Sequence, residues 1–167
     1  MKTAICPGSF DPITQGHLNI IERTARMFDE VIVLVLVNPA KNYLLTQQER
    51  LYYVRRATDA IPNVRAELFT GLVAEYARMV GAAALVKGLR AVTDFEYEMQ
   101  QALTNKMLNP QLETLFMISD AKYLYLSSST VKEILRFGGN VESSLPPAVS
   151  EELQTSLEKR LRWRRED

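Results

Sequence analysis

Short apolar runs alternate with longer amphipathic stretches along the chain, five times in succession. The clearest run is 31–37, a continuous β-branched segment typical of a strand that is covered on both faces. Residues 17–28 follow a helical period, with apolar side chains on one face at Leu18, Ile21, Ala25 and Phe28. Strands that alternate with helices form parallel sheets joined by right-handed crossovers. The sequence therefore predicts an α/β protein with a five-stranded parallel sheet and helices on both faces.

The same periodicities give approximate bounds for each element. Strands are predicted at 4–6, 31–37, 64–69, 83–86 and 115–118. Helices are predicted at 17–28, 46–60, 72–80, 93–103, 131–137 and 150–163. Two of these helices begin with a capping-box pattern, which pairs Thr46 with Glu49 and Thr93 with Glu96.

Length and charge limit what kind of protein this is. The chain has 167 residues, which suits one domain, and its 20 basic and 20 acidic residues give a net charge of zero. This balance argues against a protein whose whole surface binds nucleic acid. Cys6 is the only cysteine, which excludes an intramolecular disulfide and a cysteine-rich zinc site. We find no signal peptide and no apolar run long enough for a membrane helix, so we expect a soluble, cytoplasmic protein without a membrane partner.

Ligands of such folds bind at the carboxyl ends of the strands, so we expect the binding residues in the segments that follow the strands. These segments are 7–17, 38–46, 70–73, 87–98 and 119–130. The first contains Gly8, Gly16 and His17, the only histidine, at the predicted start of a helix, where backbone N–H groups bind anions. His17 in that position could donate a hydrogen bond to a phosphate oxygen; the alternative is a histidine that is merely packed or solvated. The P-loop and G-x-G-x-x-G motifs are both missing, which argues against a P-loop phosphotransferase and a dinucleotide dehydrogenase.

Two later segments also point to phosphate binding. Lys87 follows the buried run 83–86, where a charge directed into an apolar core is unfavourable, so a ligand role is indicated. The serine run 127–129 lies between an apolar segment and an amphipathic one, and a flexible linker would not be flanked in this way. Hydroxyl and N–H groups at a helix start form a phosphate cradle, to which Lys132 would add positive charge.

Three motifs together resemble a known family. They are Thr14-x-Gly16-His17, the serine run 127–129, and the block Lys-Gly-Leu-Arg-Ala-Val-x-Asp-Phe-Glu-Tyr-Glu at 87–98. The first two resemble the nucleotidylyltransferase superfamily, and the third resembles its bacterial phosphopantetheine adenylyltransferases. The resemblance extends from about residue 2 to about residue 158. It implies a single-domain Rossmann-like fold, with a nucleotidylyltransferase domain at 1–158 and a basic C-terminal tail at 159–167.

The resemblance also implies a reaction and a role for each matching residue. The reaction is reversible transfer of the adenylyl group of ATP to 4′-phosphopantetheine, giving dephospho-coenzyme A and pyrophosphate by direct in-line attack, without a covalent enzyme intermediate. His17 matches the stabiliser of the transition state. The positions that match substrate-binding residues are Ser9, Lys41, Val73 and Lys87. The positions that match ATP-binding residues are Ser9, Phe10, His17, Gly88, Leu89, Arg90, Glu98, Tyr123, Leu124, Tyr125, Leu126, Ser127, Ser128 and Ser129.

Further properties are implied by the resemblance alone. They are a requirement for Mg²⁺, a homohexameric assembly, and feedback inhibition by coenzyme A. The sequence offers no carboxylate cage for the metal, and Asp11 alone is too weak a candidate for a ligand.

Other functions compete with this interpretation. A cytidylyltransferase or a nicotinamide-mononucleotide adenylyltransferase would share the superfamily, but the block 87–98 argues against both. A non-catalytic module that binds nucleotide or RNA is the alternative from another class, supported by the basic tail 159–167 with its one aromatic residue. A solvated, cationic helix end explains the same tail, and the zero net charge gives no support to a nucleic-acid partner.

Overall fold

The fold is a single parallel sheet, seen in a computed structural model that describes the backbone of residues 1–163 and the side chains of residues 1–161. The strands run in the order β3-β2-β1-β4-β5, and every neighbouring pair is parallel. Their bounds are β1 Thr3–Gly8, β2 Glu30–Leu36, β3 Val64–Phe69, β4 Ala84–Leu89 and β5 Glu113–Ile118. The predicted five-stranded parallel sheet is confirmed, and the order of strands is that of a Rossmann-like fold.

Within residues 1–163, six α-helices connect or follow the strands. They are α1 Gln15–Ala25, α2 Gln47–Thr58, α3 Val73–Val80, α4 Val92–Leu108, α5 Ser128–Arg136 and α6 Ser150–Trp163. Two short 3₁₀ turns lie at Ala121–Tyr123 and Glu142–Ser144. Thr46 caps α2, because its side chain accepts the N–H of Glu49 while the Glu49 carboxylate accepts the N–H of Thr46. This predicted capping box is therefore confirmed.

The second predicted capping box, Thr93 with Glu96, is wrong. Helix α4 begins one residue earlier, after Ala91, and no side chain caps it. The carboxylate of Asp94 instead accepts the backbone N–H of Arg90 and lies 3.3 Å from the Arg90 guanidinium. An acidic group in the first turn is thus fixed by Arg90, two residues before the helix begins, and Thr93 has no structural part in the cap.

Alternate side chains of the central strands are buried on opposite faces of the sheet. Val31, Val33 and Val35 belong to a core that includes apolar residues of α1, α2, α5 and α6. Ile32 and Leu34 belong to a second core, formed with α3 and the end of α4. Helices therefore cover both faces, as predicted, and the central strands are apolar throughout because neither face meets water.

Helix α4 and the neighbouring edge strand β5 leave an apolar face exposed. None of the 17 residues of α4 is buried, although its apolar side chains recur every three or four positions. The exposed fractions are 81% for Val92, 63% for Leu103, 74% for Met107 and, on β5, 75% for Ile118. We call this set, together with Phe95 and Met99, the α4–β5 face.

Several bounds differ from those predicted. Strand β4 extends to Leu89, so Lys87 lies within the strand and not after it. Helix α5 begins at Ser128, so the serine run forms its cap and first turn. Of the predicted tail, 159–163 continues helix α6, whereas 164–167 lies outside the described residues. Over the span that the structure covers, no helix is long and apolar enough to cross a membrane.

Candidate functional site

The two central strands separate at their carboxyl ends and open a crevice. Strands β1 and β4 pair only through Ala4 with Ala84 and Ile5 with Leu85. Beyond these pairs, 6–8 of β1 and 86–88 of β4 line a cavity of about 410 Å³ between them. This is the switch point of the strand order, where α/β proteins bind their ligands.

His17 lies at the entrance of α1 and is held there by the helix cap. The backbone N–H of Thr14 donates to Nδ1 of His17 over 3.1 Å, and the Thr14 hydroxyl lies 3.0 Å from the same nitrogen. In return, the Thr14 hydroxyl accepts the backbone N–H of His17, which completes a capping box. Because Nδ1 accepts a backbone proton, the neutral ring carries its own proton on Nε2.

The charge of His17 is fixed as well as its orientation. Burial, aided by the positive charge of Arg90, lowers the pKa of His17 from 6.5 to about 4. The ring of Phe10 packs edge-on against the imidazole, with the centroids 5.2 Å apart. Phe10 has a φ of 49°, a conformation that its contacts must hold, and its ring occupies the space beside Gly8. His17 is therefore a neutral group that offers one N–H donor.

Lys87 and Arg90 bring positive charge to the β4 side of the cavity. The Lys87 ammonium lies 3.0 Å from a carboxylate oxygen of Glu98 on α4, and both side chains are about four-fifths buried. Arg90 pairs with Asp94 and donates to the carbonyl oxygen of Leu126 over 3.3 Å. Both cations line the cavity together with His17.

The serine run closes the cavity on the α5 side. The hydroxyl of Ser127 accepts the backbone N–H of Thr130, and the hydroxyl of Ser128 donates to the carbonyl oxygen of Pro12. These two hydroxyls are therefore engaged within the protein. The donors that α5 offers to an anion are the backbone N–H groups of Ser128 and Ser129 and the hydroxyl of Ser129.

A second cavity adjoins the first. Its volume is about 640 Å³, and it is lined by loop residues 37–39 and 70–73 and by one side of α4. Pro7, Leu36, Lys87, Tyr97 and Gln101 line both cavities. Val73 belongs to the second cavity alone, whereas Lys41 belongs to the first. Lys87 thus lies at the junction of two spaces, each of which is large enough for part of a small molecule.

The structure brings most of the predicted site residues together. Those that line the first cavity are Ser9, Phe10, His17, Lys41, Lys87, Gly88, Arg90, Glu98, Tyr123, Leu126, Ser127, Ser128 and Ser129. Three predicted residues, Leu89, Leu124 and Tyr125, do not line either cavity. Gly88 also has a packing role, because a Cβ there would lie 2.9 Å from the side chain of Ile20.

Lys132 does not contribute its charge to the cavity as predicted. Its ammonium lies 3.1 Å from the carboxylate of Asp11, which is buried and also accepts the backbone N–H groups of Leu44 and Leu45. Asp11 thus joins three segments of chain, and sequence reasoning considered it only as a weak metal ligand. An acidic residue between two apolar stretches gives no sign of its partners, which come from distant parts of the sequence.

Arg50 is the other important residue that sequence reasoning missed. It is buried on α2, and its guanidinium donates to the carbonyl oxygens of Ser9 at 2.6 Å and Leu36 at 2.9 Å. Both of these residues line the first cavity. The periodicity gave no signal, since an arginine in a surface helix ordinarily faces water.

Neither a metal cage nor an activated nucleophile is found among residues 1–161. No three His, Cys, Asp or Glu side chains of this part lie together as metal ligands would. Burial raises the pKa of the Cys6 thiol to about 12, so Cys6 is protonated at neutral pH. What the first cavity supplies is cations, a neutral N–H donor and helix-start amides, which suits the binding and stabilisation of phosphate groups.

A larger cavity lies elsewhere and contains none of the predicted site residues. It measures about 930 Å³ and lies between α2 and α6, with Tyr53, Glu151 and Arg160 in its lining. Arg160, part of the predicted basic tail, donates to the carbonyl oxygen of Leu44 and pairs with Glu49. One of the tail cations is therefore used within the domain.

Comparison with known proteins agrees with the geometry. A family model described as cytidylyltransferase-like matches residues 5–134. The phosphopantetheine adenylyltransferase of Caldanaerobacter subterraneus subsp. tengcongensis is 53% identical over 159 residues, which are 95% of this chain and 99% of that protein. The phosphopantetheine adenylyltransferase of Heliobacterium modesticaldum is 54% identical over 149 residues, 89% of each chain. The protein of the same name from Clostridium novyi is 48% identical over 159 residues, 95% of this chain and 99% of that one. The chain therefore belongs to the phosphopantetheine adenylyltransferase family of nucleotidyltransferases.

Proposed function

We propose that the protein transfers the adenylyl group of ATP to 4′-phosphopantetheine, producing dephospho-coenzyme A and pyrophosphate in coenzyme A synthesis. The observation that carries the proposal is the meeting of two cavities at Lys87, with His17 and Arg90 in the wall of the first. A nucleotide in the first cavity and a phosphorylated arm that reaches it from the second would bring two phosphates together beside these residues. The names of the relatives supply the acceptor, phosphopantetheine, and the group transferred, adenylyl.

The chemistry requires alignment and charge stabilisation more than a base. A phosphate monoester has a second pKa of about 6 and is mostly dianionic at neutral pH, so no side chain needs to remove a proton. One of its oxygens attacks the α-phosphorus of ATP, and the bond from that phosphorus to the pyrophosphate oxygen breaks in line with the attack. Lys41 and Lys87 would hold the attacking phosphate, and Arg90 with the first turn of α5 would hold the β- and γ-phosphates.

His17 would stabilise the transition state with its Nε2–H group. Nδ1 is occupied by the cap, so Nε2–H is the donor that remains for a substrate. A neutral donor serves well here, because negative charge grows on the α-phosphoryl oxygens only as the reaction proceeds. The hydrogen bond therefore strengthens towards the transition state.

Glu98 would keep Lys87 in position until substrate arrives. The carboxylate is the partner of Lys87 in the free protein, and a phosphate dianion offers the ammonium more negative charge than one carboxylate does. The resemblance implies that Glu98 contacts ATP. A carboxylate would repel the triphosphate directly, so its pairing with Lys87 supports a role as counter-ion.

Magnesium would enter with the nucleotide. Glu98 is engaged by Lys87, and Asp11 by Lys132 and two amides, so the nearby carboxylates fit no protein-held metal. The residues do fit a magnesium–ATP complex, in which phosphate oxygens and water provide most ligands and the hydroxyl of Ser129 is within the same cavity. Such a metal lowers the negative charge of the triphosphate.

The regulation and location of the enzyme are extensions of this proposal. Coenzyme A carries the same arm and adenosine group as the product, so it would compete for both cavities as a feedback inhibitor. The transfer is reversible, since a phosphoanhydride is broken and another is formed. A place in the cytoplasm stays a prediction from the sequence.

We also propose that the protein is a homohexamer that assembles in part through the α4–β5 face. A single chain leaves this apolar stripe in water, which is the usual mark of a protein interface. The other side of α4 provides Tyr97, Glu98 and Gln101 to the cavities. Assembly would therefore stabilise α4, which is poorly buried in the single chain and which contributes residues to the cavities.

The first prediction concerns the substrate. Labelled pyrophosphate should exchange into ATP only when 4′-phosphopantetheine or its adenylylated product is present, because the enzyme forms no adenylyl intermediate of its own. Nicotinamide mononucleotide and glycerol phosphate, tested in parallel, should support no exchange. Exchange with either of these alone, or exchange without any acceptor, would contradict the proposal.

The second prediction concerns His17. His17→Ala should lower kcat about 100-fold, the usual effect of losing one transition-state donor, while the KM for ATP changes little. His17→Gln is the matched variant, since its amide N–H can restore part of the rate. Steady-state kinetics with both substrates measures the effect, and equal losses in ATP binding and in kcat would make His17 a ground-state ligand instead.

The third prediction concerns assembly. Leu103→Asp inserts a charge into the α4–β5 face and should reduce the mass found by sedimentation equilibrium from a hexamer to smaller species. Met79→Asp is the control, because Met79 is a similarly exposed apolar residue (76%) on α3. A monomeric wild-type protein, or a Leu103→Asp variant with the wild-type mass, would count against this interface.

A further inference from the structure

Arg50 is a charged side chain in an unusual environment. It is only 1% exposed and is among the largest fully buried side chains in the described part of the protein. Burial lowers its pKa, although an arginine stays protonated at any physiological pH. Removing a guanidinium from water is unfavourable unless its hydrogen bonds are replaced, so its contacts identify what the residue does.

Those contacts join the two chain segments that border the first cavity. One nitrogen, Nη1, donates both to the carbonyl oxygen of Ser9, just after β1, and to that of Leu36, at the end of β2. Ser9 precedes Phe10, whose ring packs against the imidazole of His17. Arg50 therefore acts on the support of His17 through one intervening residue.

The same guanidinium supports the loop that carries Lys41. Its central carbon lies 3.9 Å from the centroid of the Tyr43 ring. The hydroxyl of Tyr43 accepts the backbone N–H of Asn38, and the carbonyl oxygen of Asn38 accepts that of Lys41. A single buried side chain is thus connected to the turn that presents Lys41 and to the loop behind His17.

The charge of Arg50 is not neutralised by a direct ion pair. Among residues 1–161, no carboxylate lies within ion-pair distance of it, and Asp11, whose charge it senses, is already engaged by Lys132. The two carbonyl oxygens accept protons of Nη1 without cancelling the charge, and Nε is buried without a hydrogen-bond partner. Arg50 therefore leaves a positive charge beneath a cavity suited to phosphates.

We propose that Arg50 is a positioning residue for adenylyl transfer, which fixes the segments that carry Phe10 and Lys41 so that His17 and Lys41 face the reacting phosphates. This inference rests on the proposed function for its kinetic consequences. Arg50 touches no substrate in this account, so its effect passes through His17 and Lys41.

The test compares Arg50→Lys with Arg55→Met. Lysine keeps the charge, but its side chain is one bond shorter than the path to Nη1 of arginine, and an ammonium does not stack on Tyr43 as a planar guanidinium does. Arg55 is the matched control, because it lies on the same helix and donates to a backbone carbonyl oxygen, that of Ala66 on β3, away from both cavities. Arg50→Lys should lower kcat about tenfold or more, whereas Arg55→Met should leave it within about twofold.

A double-mutant cycle with His17→Ala separates positioning from general damage. If Arg50 acts largely through His17, Arg50→Lys should lower kcat far less in the His17→Ala background than in the wild type. Losses that multiply fully in the double variant would overturn the inference.

Tyr43→Phe tests the connection to Lys41. This variant keeps the stacked ring but loses the hydroxyl that accepts the backbone N–H of Asn38. It should raise the KM for 4′-phosphopantetheine and leave the KM for ATP unchanged. An unchanged KM for 4′-phosphopantetheine would exclude the connection to Lys41.

One readout does not depend on activity. His17 is the only histidine, so its imidazole gives a single set of NMR signals. Arg50→Lys should shift these signals and Arg55→Met should not, whatever the substrate is. Wild-type protein that fails to use 4′-phosphopantetheine would refute the proposed function alone, whereas unchanged His17 signals in folded Arg50→Lys protein would refute the role of Arg50.

Discussion

The hydrogen bond from the backbone of Thr14 to Nδ1 of His17 is the constraint on which the site depends. It caps helix α1 and, by the same contact, decides which imidazole nitrogen carries the proton. Burial then keeps the ring neutral. The capping box of α1 thus also fixes His17 as a hydrogen-bond donor. Phe10 packs against its ring, and Arg50 binds the carbonyl oxygen of Ser9, the residue before Phe10. Folding and chemistry share the same few contacts at this point.

Much of the fold could be predicted because its signals are local. The continuous apolar strand around Val33 and the cap between Thr46 and Glu49 involve residues close together in sequence, and both are confirmed. The gathering of His17, Lys87, Arg90 and the serine run follows from one topological rule, that parallel strands end at one edge. The motif around His17 added the chemistry, which periodicity alone could not supply.

The remaining features depend on contacts between distant segments. Asp11 meets Lys132, and Arg50 meets Ser9 and Leu36, across separations that no sequence pattern encodes. Lys132 was expected to face the phosphates, but its ammonium pairs with the buried carboxylate of Asp11. The apolar face of α4 has the periodicity of a core helix but is exposed, because periodicity shows that a helix has an apolar face without showing what packs against that face.

The protonation state of the His17 ring is the property on which this mechanism depends most directly. Nitrogen-15 NMR of the free protein, titrated between about pH 5 and pH 8, reports both protonation and tautomer of the single imidazole. The ring should be neutral, with its proton on Nε2, over this whole range, and should become protonated only as the pH falls towards a pKa of about 4. A titration midpoint near the ordinary value of 6.5, or a proton on Nδ1, would contradict this mechanism.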